Sequence, residues 1–482
     1  MKDNLKEILS KDDARLYFVG IGGIAMSAAA CLAKDFGYEV TGSDSNEIYD
    51  PAKSVLESFK INYNSGYELK NVETAKADLF VISAGEDLSN PEVKYVYDNN
   101  LPHCSFAEVL EIFADDDLRI VVTGTHGKST TSGLLGHIFK NLDNSSFIVG
   151  AVLQNYQTNF HKGDGHYFVF EGDEYKSEWD DPTPKFHYYK PDILVLTNLE
   201  YDHPDMFGSF EELKTEFREL ISNLPEDGLI VYNADDPELA KLVHESNVTS
   251  VSFGLQNEAD YFAESISYEK ESTTINVKNK YSKDNVAELL GKAEEYKIQL
   301  PGEINVYNAL AAIATLRVLG FSRENIALDL LSYLGVKRRF EKVGVKNGIT
   351  LIDDYAHHPT AVRETLEAVR LRYPNSKLWA VFEPHTFSRT KATLDDLAKS
   401  FGSADEVLIS EIYPAREKKS DATITSDAVV SAVGRQHQKV RLVHNKQEAL
   451  DILKSEAKSG DVIIVMAVGD FNRLAYDLKE KL

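Results

Sequence analysis

Short apolar runs alternate with helical segments along the chain, and this alternation restricts the fold more than any other feature of the sequence. In the first block, the apolar run Leu16–Val19 is separated by a glycine-rich turn from the Ala-rich segment Met26–Phe36. The short runs Glu39–Asp44 and Asp78–Ser83 follow in the same rhythm. Strands that alternate with helices predict an α/β protein with parallel, doubly wound sheets.

The chain length and two composition shifts predict the domain organisation. A chain of 482 residues corresponds to about three domains. The acidic run 115–117 marks a first boundary and the glycine- and arginine-containing run 335–339 a second. The sequence therefore predicts an N-terminal domain over 1–116, a central domain over 117–336 and a C-terminal domain over 337–482 that returns to alternating strands and helices.

The charge and cysteine content exclude several classes of function. Lys and Arg number 52 against 77 Asp and Glu, so the formal net charge is −25, which predicts no nucleic-acid partner and no anionic membrane partner. The sequence starts without the apolar core of a signal peptide and contains no apolar run of 18 residues, so we expect a cytoplasmic protein without a membrane span. Two cysteines, Cys31 and Cys104, are too few for a Cys-rich zinc site and suit a reducing compartment.

A loop between a predicted strand and a predicted helix in the central domain is typical of phosphate binding. The loop consists of Gly124, Thr125, His126, Gly127, Lys128, Ser129 and Thr130. Backbone N–H groups at a helix start, together with the helix dipole, bind phosphates. Lys128 could then neutralise the β- and γ-phosphates, and the Ser129 hydroxyl could ligate Mg²⁺. The strict spacing of this motif is absent because Val122 stands where the first glycine is expected, but the order of strand, Gly-Lys-Ser and helix is kept.

A second glycine-rich loop follows the first strand. It contains Gly20, Gly22 and Gly23 and leads into a helix that carries Ser27. A dinucleotide site would use such a loop, with Asp44 at the end of the next strand contacting a ribose hydroxyl. However, Ala25 occupies the third glycine position of that motif. The loop predicts either a phosphate-bearing ligand or a tight turn that packs a helix on a strand.

Acidic and histidine side chains follow three predicted strands. Glu171 comes directly after one strand of the central domain, and His203 lies just past another. The carboxyl ends of strands line the ligand crevice of an open α/β sheet, so a carboxylate and an imidazole there could reach metal ions bound to ATP phosphates. The run Asp353–Thr360 follows a strand of the third domain and could contact a ribose, orient a nucleophile or simply cap the next helix.

Three motifs in fixed order resemble the Mur ligase family of cell-wall peptide synthesis. They are Gly-Thr-His-Gly-Lys-Ser-Thr-Thr from Gly124, Asn-Leu-Glu-Tyr-Asp-His from Asn198 and Asp-Asp-Tyr-Ala-His-His-Pro-Thr from Asp353. The glycine loop at Gly20 and the His126 of the phosphate loop resemble the members of this family that use UDP-N-acetylmuramate. The resemblance runs from about residue 16 to residue 478, nearly the whole chain.

The resemblance implies a fold, a reaction and a set of site residues. The expected domains are a Rossmann-like UDP-binding domain, a central P-loop ATPase-like domain and a C-terminal Rossmann-like domain. The expected reaction transfers the γ-phosphoryl group of ATP to a carboxylate, and an amine then displaces phosphate from the acyl phosphate. The resemblance implies UDP-sugar contacts from Gly20, Gly22, Gly23, Ser27, Asp44 and Ser83. It implies ATP contacts from the phosphate loop and from Asn305, Asn308, Arg339 and Asp354.

The resemblance also implies a cofactor, catalytic residues and an acceptor site. Mg²⁺ would be ligated by Ser129, Glu171 and His203. The implied catalytic residues are Lys128, Glu171, His203, Arg339 and His358. The acceptor amino acid would lie at His357, His358, His385 and Arg389.

Two acceptors remain open, and two other classes of protein compete with the ligase. L-Alanine would be joined to the lactyl carboxylate of UDP-N-acetylmuramate in peptidoglycan biosynthesis, or the tripeptide L-alanyl-γ-D-glutamyl-meso-diaminopimelate would be joined to it in murein recycling. The run Glu383–Thr390 favours L-alanine, whereas the segment Glu174–Tyr188 resembles tripeptide-using members. Ile304 and the pair Ala467-Val468 depart from the family pattern. A nicotinamide dehydrogenase would explain only the first glycine loop, and a non-enzymatic nucleotide sensor only the phosphate loops.

Overall fold

Three β-sheets flanked by helices make up the fold, which confirms the predicted α/β class. The computed structural model describes residues 2–11, 13–45, 47–202, 206–256, 259–280, 293–415, 417–418, 420 and 422–482. Over these described residues, the sheets contain five, ten and six strands in chain order. Among the described residues, no helix has the length and apolarity needed to cross a membrane.

The N-terminal sheet is parallel throughout. Its strands are β1 (Arg15–Val19), β2 (Glu39–Asp44), β3 (Asn62–Ser65), β4 (Leu79–Ile82) and β5 (His103–Ser105). The flanking helices are α1 (Lys2–Leu9), α2 (Ile24–Asp35), α3 (Ala52–Ser58), α4 (Leu69–Ala75), α5 (Pro91–Asp98) and α6 (Phe106–Phe113). The strand order is β3-β2-β1-β4-β5, so the order reverses between β1 and β4. Ligands of open α/β sheets bind at such a reversal, and the loop at Gly20 follows β1 there.

The central sheet contains the strands that position the phosphate loop. Its strands are β6 (Leu118–Thr123), β7 (Ser146–Leu153), β8 (Thr158–His161), β9 (Tyr167–Glu171), β10 (Ile193–Leu196), β11 (Leu229–Asn233), β12 (Thr249–Gly254), β13 (Tyr261–Tyr268), β14 (Thr273–Asn279) and β15 (Glu294–Ile298). The order is β15-β14-β13-β12-β11-β10-β6-β9-β7-β8. The helices of this segment are α7 (Lys128–Asp143), α8 (Phe210–Ser222), α9 (Pro237–His244), α10 (Glu303–Val318) and α11 (Arg323–Ser332). Because β6 pairs in parallel with both β9 and β10, the carboxyl ends of these three strands meet at one sheet edge.

The C-terminal sheet is parallel except for its first strand. Its strands are β16 (Glu341–Lys346), β17 (Ile349–Asp354), β18 (Leu378–Phe382), β19 (Glu406–Ser410), β20 (Val440–Val443) and β21 (Val462–Met466), in the order β16-β17-β21-β18-β19-β20. Its helices are α12 (Pro359–Arg372), α13 (Phe387–Ala392), α14 (Leu394–Lys399), α15 (Ser426–Gly434), α16 (Lys446–Glu456) and α17 (Leu474–Lys481). Only β16 runs antiparallel to its neighbour. Pro359 occupies the first turn of α12, where its missing N–H costs nothing.

The chain divides into two compact units. The first comprises 1–262, 279–290 and 310–329, and the second comprises 263–278, 291–309 and 330–482. In the first unit, one apolar core includes side chains of both α2 and β9. In the second unit, successive residues of β18 alternate between two apolar cores, because side chains of a strand point to opposite faces of its sheet.

Candidate functional site

The phosphate loop is a tight turn that requires glycine. Gly124 has a φ of +131° and Gly127 a φ of +82°, a region that L side chains rarely adopt. A Cβ atom on Gly124 would overlap Thr197 Oγ1 and lie 2.7 Å from the carbonyl oxygen of Asn198. The loop therefore lies directly against the segment that follows β10, and a side chain at Gly124 would separate the two.

Side chains after β10 hold the backbone of the phosphate loop. Thr197 Oγ1 donates a hydrogen bond to the His126 carbonyl oxygen at 2.6 Å. Asn198 Oδ1 accepts one from the His126 N–H at 2.7 Å, and Thr125 Oγ1 donates to the Glu200 carbonyl oxygen at 2.9 Å. The residue before α7 is Gly127, which has no side chain with which to cap the helix that begins at Lys128. A phosphate bound at this helix start would supply the negative charge that the helix dipole favours.

Lys128 lies in the loop in contact with Glu174, the last residue of the run Glu171–Glu174. Its Nζ donates to Glu174 Oε1 at 2.8 Å and to the carbonyl oxygens of Gly124 at 2.6 Å and Thr125 at 3.2 Å. Burial alone would lower the pKa of Lys128, but the neighbouring carboxylates outweigh it and raise that pKa. Burial raises the pKa of Glu174 to about 7, against the opposing effect of Lys128. Glu174 was not among the predicted site residues, although it lies only three positions after Glu171.

Ser129 and Glu171, two of the predicted metal ligands, lie in contact with each other. The Ser129 hydroxyl donates to Glu171 Oε1 at 2.7 Å, and the Gly150 N–H donates to Glu171 Oε2 at 2.6 Å. A hydroxyl and a carboxylate are hard oxygen ligands of the kind that Mg²⁺ prefers. The two side chains therefore fit one edge of a magnesium site. His203, the third predicted ligand, lies outside the described residues.

The predicted UDP-sugar residues gather around the start of α2. Gly20 has a φ of +80°, and a Cβ atom there would lie 2.8 Å from the Ser83 Cβ, so this loop packs against the end of β4. The Gly22 N–H donates to Asp44 Oδ2 at 2.8 Å, which ties the loop to the end of β2. Gly23 precedes α2 without a side-chain cap. Ser27 is buried, and its hydroxyl donates to the Ile24 carbonyl oxygen at 3.1 Å.

Two asparagines lie one turn apart at the start of α10. Asn305 Nδ2 donates to the Pro301 carbonyl oxygen at 2.7 Å, and Asn308 Nδ2 donates to Asn305 Oδ1 at 3.1 Å. Both side chains are buried. Residues three apart on a helix share a face, so the predicted pair is presented together.

Asp354 stabilises the backbone around Arg339. Asp354 Oδ2 accepts from the Phe340 N–H at 2.6 Å, and Oδ1 accepts from the Ala356 N–H at 2.7 Å. Burial raises the pKa of this carboxyl, and the Arg339 guanidinium and the two N–H groups oppose the rise. The Arg339 guanidinium lies 5.2 Å from the centre of the Tyr355 ring. Asp354 thus connects the end of β17 to the arginine that the sequence predicted as an ATP contact.

A row of aromatic rings contains two of the predicted acceptor residues. The ring centres of Tyr355 and His357 are 5.4 Å apart, those of His357 and His385 are 5.3 Å apart, and those of His385 and Tyr413 are 6.0 Å apart. Tyr413 was not among the predicted site residues. It reaches the row because its backbone bridges that of His385, a pairing between residues 28 positions apart that no local pattern encodes.

Arg389, the third predicted acceptor residue, contacts the row through His385. Its guanidinium donates to His385 Nδ1 at 2.8 Å. A guanidinium can only donate, so Nδ1 accepts and the proton of a neutral His385 ring lies on Nε2. Arg389 is only 4% exposed. His358, the fourth, is buried and precedes α12 at its N-cap position.

The segment after Glu174 contacts the N-terminal domain within the first unit. The Ser177 hydroxyl donates to the Ser105 hydroxyl at 2.9 Å, and the ring centres of Trp179 and Tyr97 are 6.0 Å apart. Glu174, the acidic partner of Lys128, therefore lies three residues before Ser177, which contacts the domain that carries the Gly20 loop.

The chain matches three domain families that follow one another along its length. Residues 15–117 match the Mur ligase family, catalytic domain, residues 122–316 match the Mur ligase middle domain, and residues 338–469 match the Mur ligase, glutamate ligase domain. The UDP-N-acetylmuramate–L-alanine ligase of Clostridium acetobutylicum is 34% identical over 98% of this chain and 98% of its own. The protein of the same name from Acetivibrio thermocellus is 35% identical over 94% of this chain and 93% of its own.

Solved structures support the same family. The UDP-N-acetylmuramate-alanine ligase MurC of Thermotoga maritima has a TM-score of 0.79 and 26% identity over 97% of this chain and 98% of its own. A murein peptide ligase from Psychrobacter arcticus has a TM-score of 0.70 and 27% identity over 96% of this chain and 98% of its own. With relatives more than 30% identical along almost its whole length, this three-domain chain belongs to the Mur ligase family.

Proposed function

We propose that this protein is an ATP-dependent ligase that joins L-alanine to the lactyl carboxylate of UDP-N-acetylmuramate in peptidoglycan biosynthesis. The observation that carries the proposal is the phosphate loop, where Ser129 contacts Glu171 at the end of β9 and Lys128 contacts Glu174 just beyond it. The names of the full-length relatives supply the acceptor and the UDP-sugar. A reaction that consumes ATP and a UDP-sugar belongs in the cytoplasm, where both are made.

Activation of the carboxylate depends on charge neutralisation and positioning. A lactyl carboxylate oxygen attacks the γ-phosphorus of ATP, the bond to the β-phosphate oxygen breaks, and ADP and an acyl phosphate result. Lys128 is the cation of the loop that would neutralise charge on the transferred group. Its ammonium already donates hydrogen bonds to the carbonyl oxygens of Gly124 and Thr125, which hold it within the loop. We assign the remaining ATP contacts to Gly127, Thr130, His126, Asn305, Asn308, Arg339 and Asp354.

We propose Mg²⁺ as the cofactor, held by Ser129, Glu171 and His203. When bound, Mg²⁺ would offset the charge of the ATP phosphates. The Ser129 and Glu171 oxygens already contact each other at the end of β9, so both could ligate one ion after a small separation. We expect Glu171→Gln to raise the Mg²⁺ concentration needed for half-maximal activity and to leave the binding constant of the UDP-sugar unchanged.

The N-terminal loop is the proposed UDP-sugar site. A pyrophosphate at the start of α2 would accept hydrogen bonds from N–H groups between Gly20 and Gly23, where no side-chain cap competes. Ser27, Asp44 and Ser83 complete the proposed site. We propose that the domain that holds it ends at residue 116 and that the central domain ends at residue 336.

We assign the acceptor site to His357, His358, His385 and Arg389, all of which belong to the C-terminal domain. The amine must be neutral to attack the acyl phosphate, so the acceptor is best held by its carboxylate. A guanidinium matches a carboxylate bidentately, and Arg389 is the arginine of this group. With its Nδ1 occupied by Arg389, His385 presents an Nε2–H donor to the same carboxylate. His358 is then the imidazole suited to accept the proton of the amine.

The tripeptide L-alanyl-γ-D-glutamyl-meso-diaminopimelate is the second candidate acceptor. The murein peptide ligase of Psychrobacter arcticus has the same level of identity to this chain as the alanine ligase of Thermotoga maritima. The run Glu174–Tyr188 resembles members of that type, whereas Glu383–Thr390 resembles alanine ligases.

Phosphate release distinguishes the two acceptors. The protein would be incubated with ATP, Mg²⁺ and UDP-N-acetylmuramate, with either L-alanine or the tripeptide added. We expect release that depends on L-alanine, and loss of that release in Lys128→Ala. Lys140→Ala, in the last turn of the same helix, is the matched control and should retain activity. Phosphate release that depends only on the tripeptide would favour the second proposal over the first. If neither acceptor leads to phosphate release, both proposals are contradicted.

A further inference from the structure

The three donors of the Lys128 ammonium are all directed to partners within the site. Two of them meet carbonyl oxygens, of Gly124 at 2.6 Å and of Thr125 at 3.2 Å, and the third meets Glu174 Oε1 at 2.8 Å. An ammonium has three N–H donors and no acceptor. A phosphate oxygen that binds Lys128 must therefore replace one of these partners.

Glu174 is the partner that a phosphate would replace. The two carbonyl oxygens belong to the loop backbone, which the contacts of Thr197 and Asn198 keep in place. Glu174 is the only one of the three partners that carries a charge, and it is attached through a side chain that can rotate. A phosphate and a carboxylate both present anionic oxygens that accept a charge-assisted hydrogen bond, so they are chemically equivalent partners for an ammonium.

The burial of the pair makes the exchange energetically important. The side chain of Glu174 is 3% exposed and that of Lys128 is 12% exposed. Water screens a charge pair at such positions far less than it screens a pair on the surface. A nucleotide phosphate that enters would face the Glu174 carboxylate as a like charge at short range. Burial already raises the pKa of this carboxyl to about 7, consistent with an environment that disfavours a second negative charge.

We propose that Glu174 is a positioning residue that competes with the nucleotide phosphates for Lys128. This inference rests on the proposed use of ATP at the same loop. With nucleotide bound, Lys128 pairs with phosphate and Glu174 loses its cation. When ADP leaves, Glu174 takes the ammonium back. Glu174 thereby lowers the affinity for nucleotide and favours release of ADP after each turnover.

Binding of ADP to Glu174→Gln tests the competition. Gln keeps the shape of the side chain and removes its charge. We expect ADP to bind about tenfold more tightly to this variant than to the wild type, the value of about one charge-assisted hydrogen bond. Calorimetric titration without added divalent metal keeps metal ligands out of the comparison. Near-ultraviolet circular dichroism of each variant establishes that it is folded.

Two further variants separate competition at Lys128 from other effects. Asp173→Asn removes a negative charge one position away, from a side chain that contacts Lys185 at 2.7 Å, and should change ADP affinity less than threefold. In a Lys128→Met background, Glu174→Gln should change ADP affinity less than twofold, because the cation for which Glu174 and the phosphates compete is gone. A purely structural role of Glu174 would produce the same effect with and without Lys128.

The possible outcomes differ between this inference and the proposed function. A wild-type protein that binds no ADP and no ATP would contradict the proposed function. A wild type that binds ADP, together with a folded Glu174→Gln variant of equal or weaker affinity, would contradict the competition alone. An equal gain in ADP affinity in Glu174→Gln and Asp173→Asn would mean that the negative charge near the loop acts in general, and not by competition for Lys128. If Glu174→Gln does not fold, the shorter Glu174→Asp must show the gain, at a smaller size.

Discussion

At the scale of single residues, the phosphate loop depends both on the lack of a side chain at Gly124 and on the charged side chain of Lys128. Gly124 lies so close to Thr197 and Asn198 that no side chain fits, and its φ of +131° is strained for any other residue. Lys128 contributes through its charge and its hydrogen bonds, since all three N–H donors of its ammonium have partners. A residue can therefore be essential here for its size or for its charge.

Replacement of Gly124 by alanine is expected to damage the loop. The added Cβ would meet backbone atoms of Asn198, which cannot move without disturbing β10. We expect ADP affinity to fall more than about tenfold, as measured by calorimetry. Gly402→Ala is the control, because nothing lies within 4 Å of the added atom there. Unchanged affinity in Gly124→Ala would show that the turn has no part in nucleotide binding.

A single substitution at Arg389 tests the proposed acceptor site. Arg389→Lys keeps the charge and loses the planar pair of donors, one of which contacts His385. We expect the KM for L-alanine to rise about tenfold and the KM for ATP to stay nearly constant, in steady-state assays of phosphate release. Arg441→Lys, at a half-buried arginine paired with Glu456, is the control. If instead only tripeptide turnover changes, the acceptor is the tripeptide.

At the scale of elements, helix α7 connects the phosphate loop to a buried histidine. His137 lies in the helix that begins at Lys128, and its Nδ1 is 2.6 Å from the Tyr156 hydroxyl. Burial lowers the pKa of His137 to about 4. The neutral ring thus packs within the domain that also holds the phosphate loop, and protonation of the ring disfavours the folded helix.

The sign of the pH dependence follows from this lowered pKa. In the unfolded chain His137 has its ordinary pKa of about 6.5, so the unfolded state binds the proton more readily than the folded state. Stability is then lost as pH falls from about 6.5 to about 4, by roughly 3 kcal/mol from this group. We expect the wild type to lose that much more than His137→Gln when urea unfolding at pH 7 and pH 4 is compared. Equal losses would mean that His137 titrates normally in the folded protein.

Helix α6 offers a second test at the scale of elements. Ser105 caps the helix by accepting from the Glu108 N–H at 3.1 Å, while Glu108 accepts from the Ser105 N–H at 2.8 Å. The Ser105 hydroxyl also accepts from Ser177. We expect Ser105→Ala to lower the free energy of unfolding by about 1–2 kcal/mol, as measured in urea. Ser455→Ala, exposed near the end of α16, is the control and should change it by less than about 0.5 kcal/mol.

At the scale of the whole molecule, each compact unit contains one of the two tryptophans. Trp179 lies in the first unit beside Tyr97, and Trp379 is fully buried in the second, where its Nε1–H donates to Asp461 Oδ2 at 3.1 Å. Each unit has its own apolar core. Fluorescence can therefore follow each unit separately once the other tryptophan is replaced.

Binding of the UDP-sugar should stabilise the first unit in particular. A ligand present at a hundredfold excess over its Kd adds about 2.7 kcal/mol to the unfolding free energy of the unit that binds it. We expect UDP-N-acetylmuramate to shift the urea transition of Trp379→Phe, which reports on Trp179, to higher concentration. The transition of Trp179→Phe, which reports on Trp379, should shift less. Equal shifts would mean that the two units unfold as one.

The local structure of this protein was predictable because consecutive residues encode it. The strands that frame the phosphate loop are continuous apolar runs, and the loop itself needs glycine at Gly124 and Gly127 for its backbone angles. The strands predicted at Leu16–Val19 and Glu39–Asp44 and the Ala-rich helix that lies between them were confirmed for the same reason. Short polar strands such as β3 were missed, because they bury too little to leave an apolar signal.

The arrangement of side chains from distant parts of the chain required the tertiary structure. Glu174 reaches Lys128 across 46 positions, and Tyr413 joins His385 only because their backbones bridge. Such contacts depend on which strands lie side by side, and apolar runs specify that a strand forms without specifying its neighbour. The sequence alone determined the α/β architecture, the phosphate loop and the family resemblance. The tertiary structure decided which acid holds Lys128, since β9 lies next to β6 and the acid that follows β9 therefore reaches the loop that follows β6.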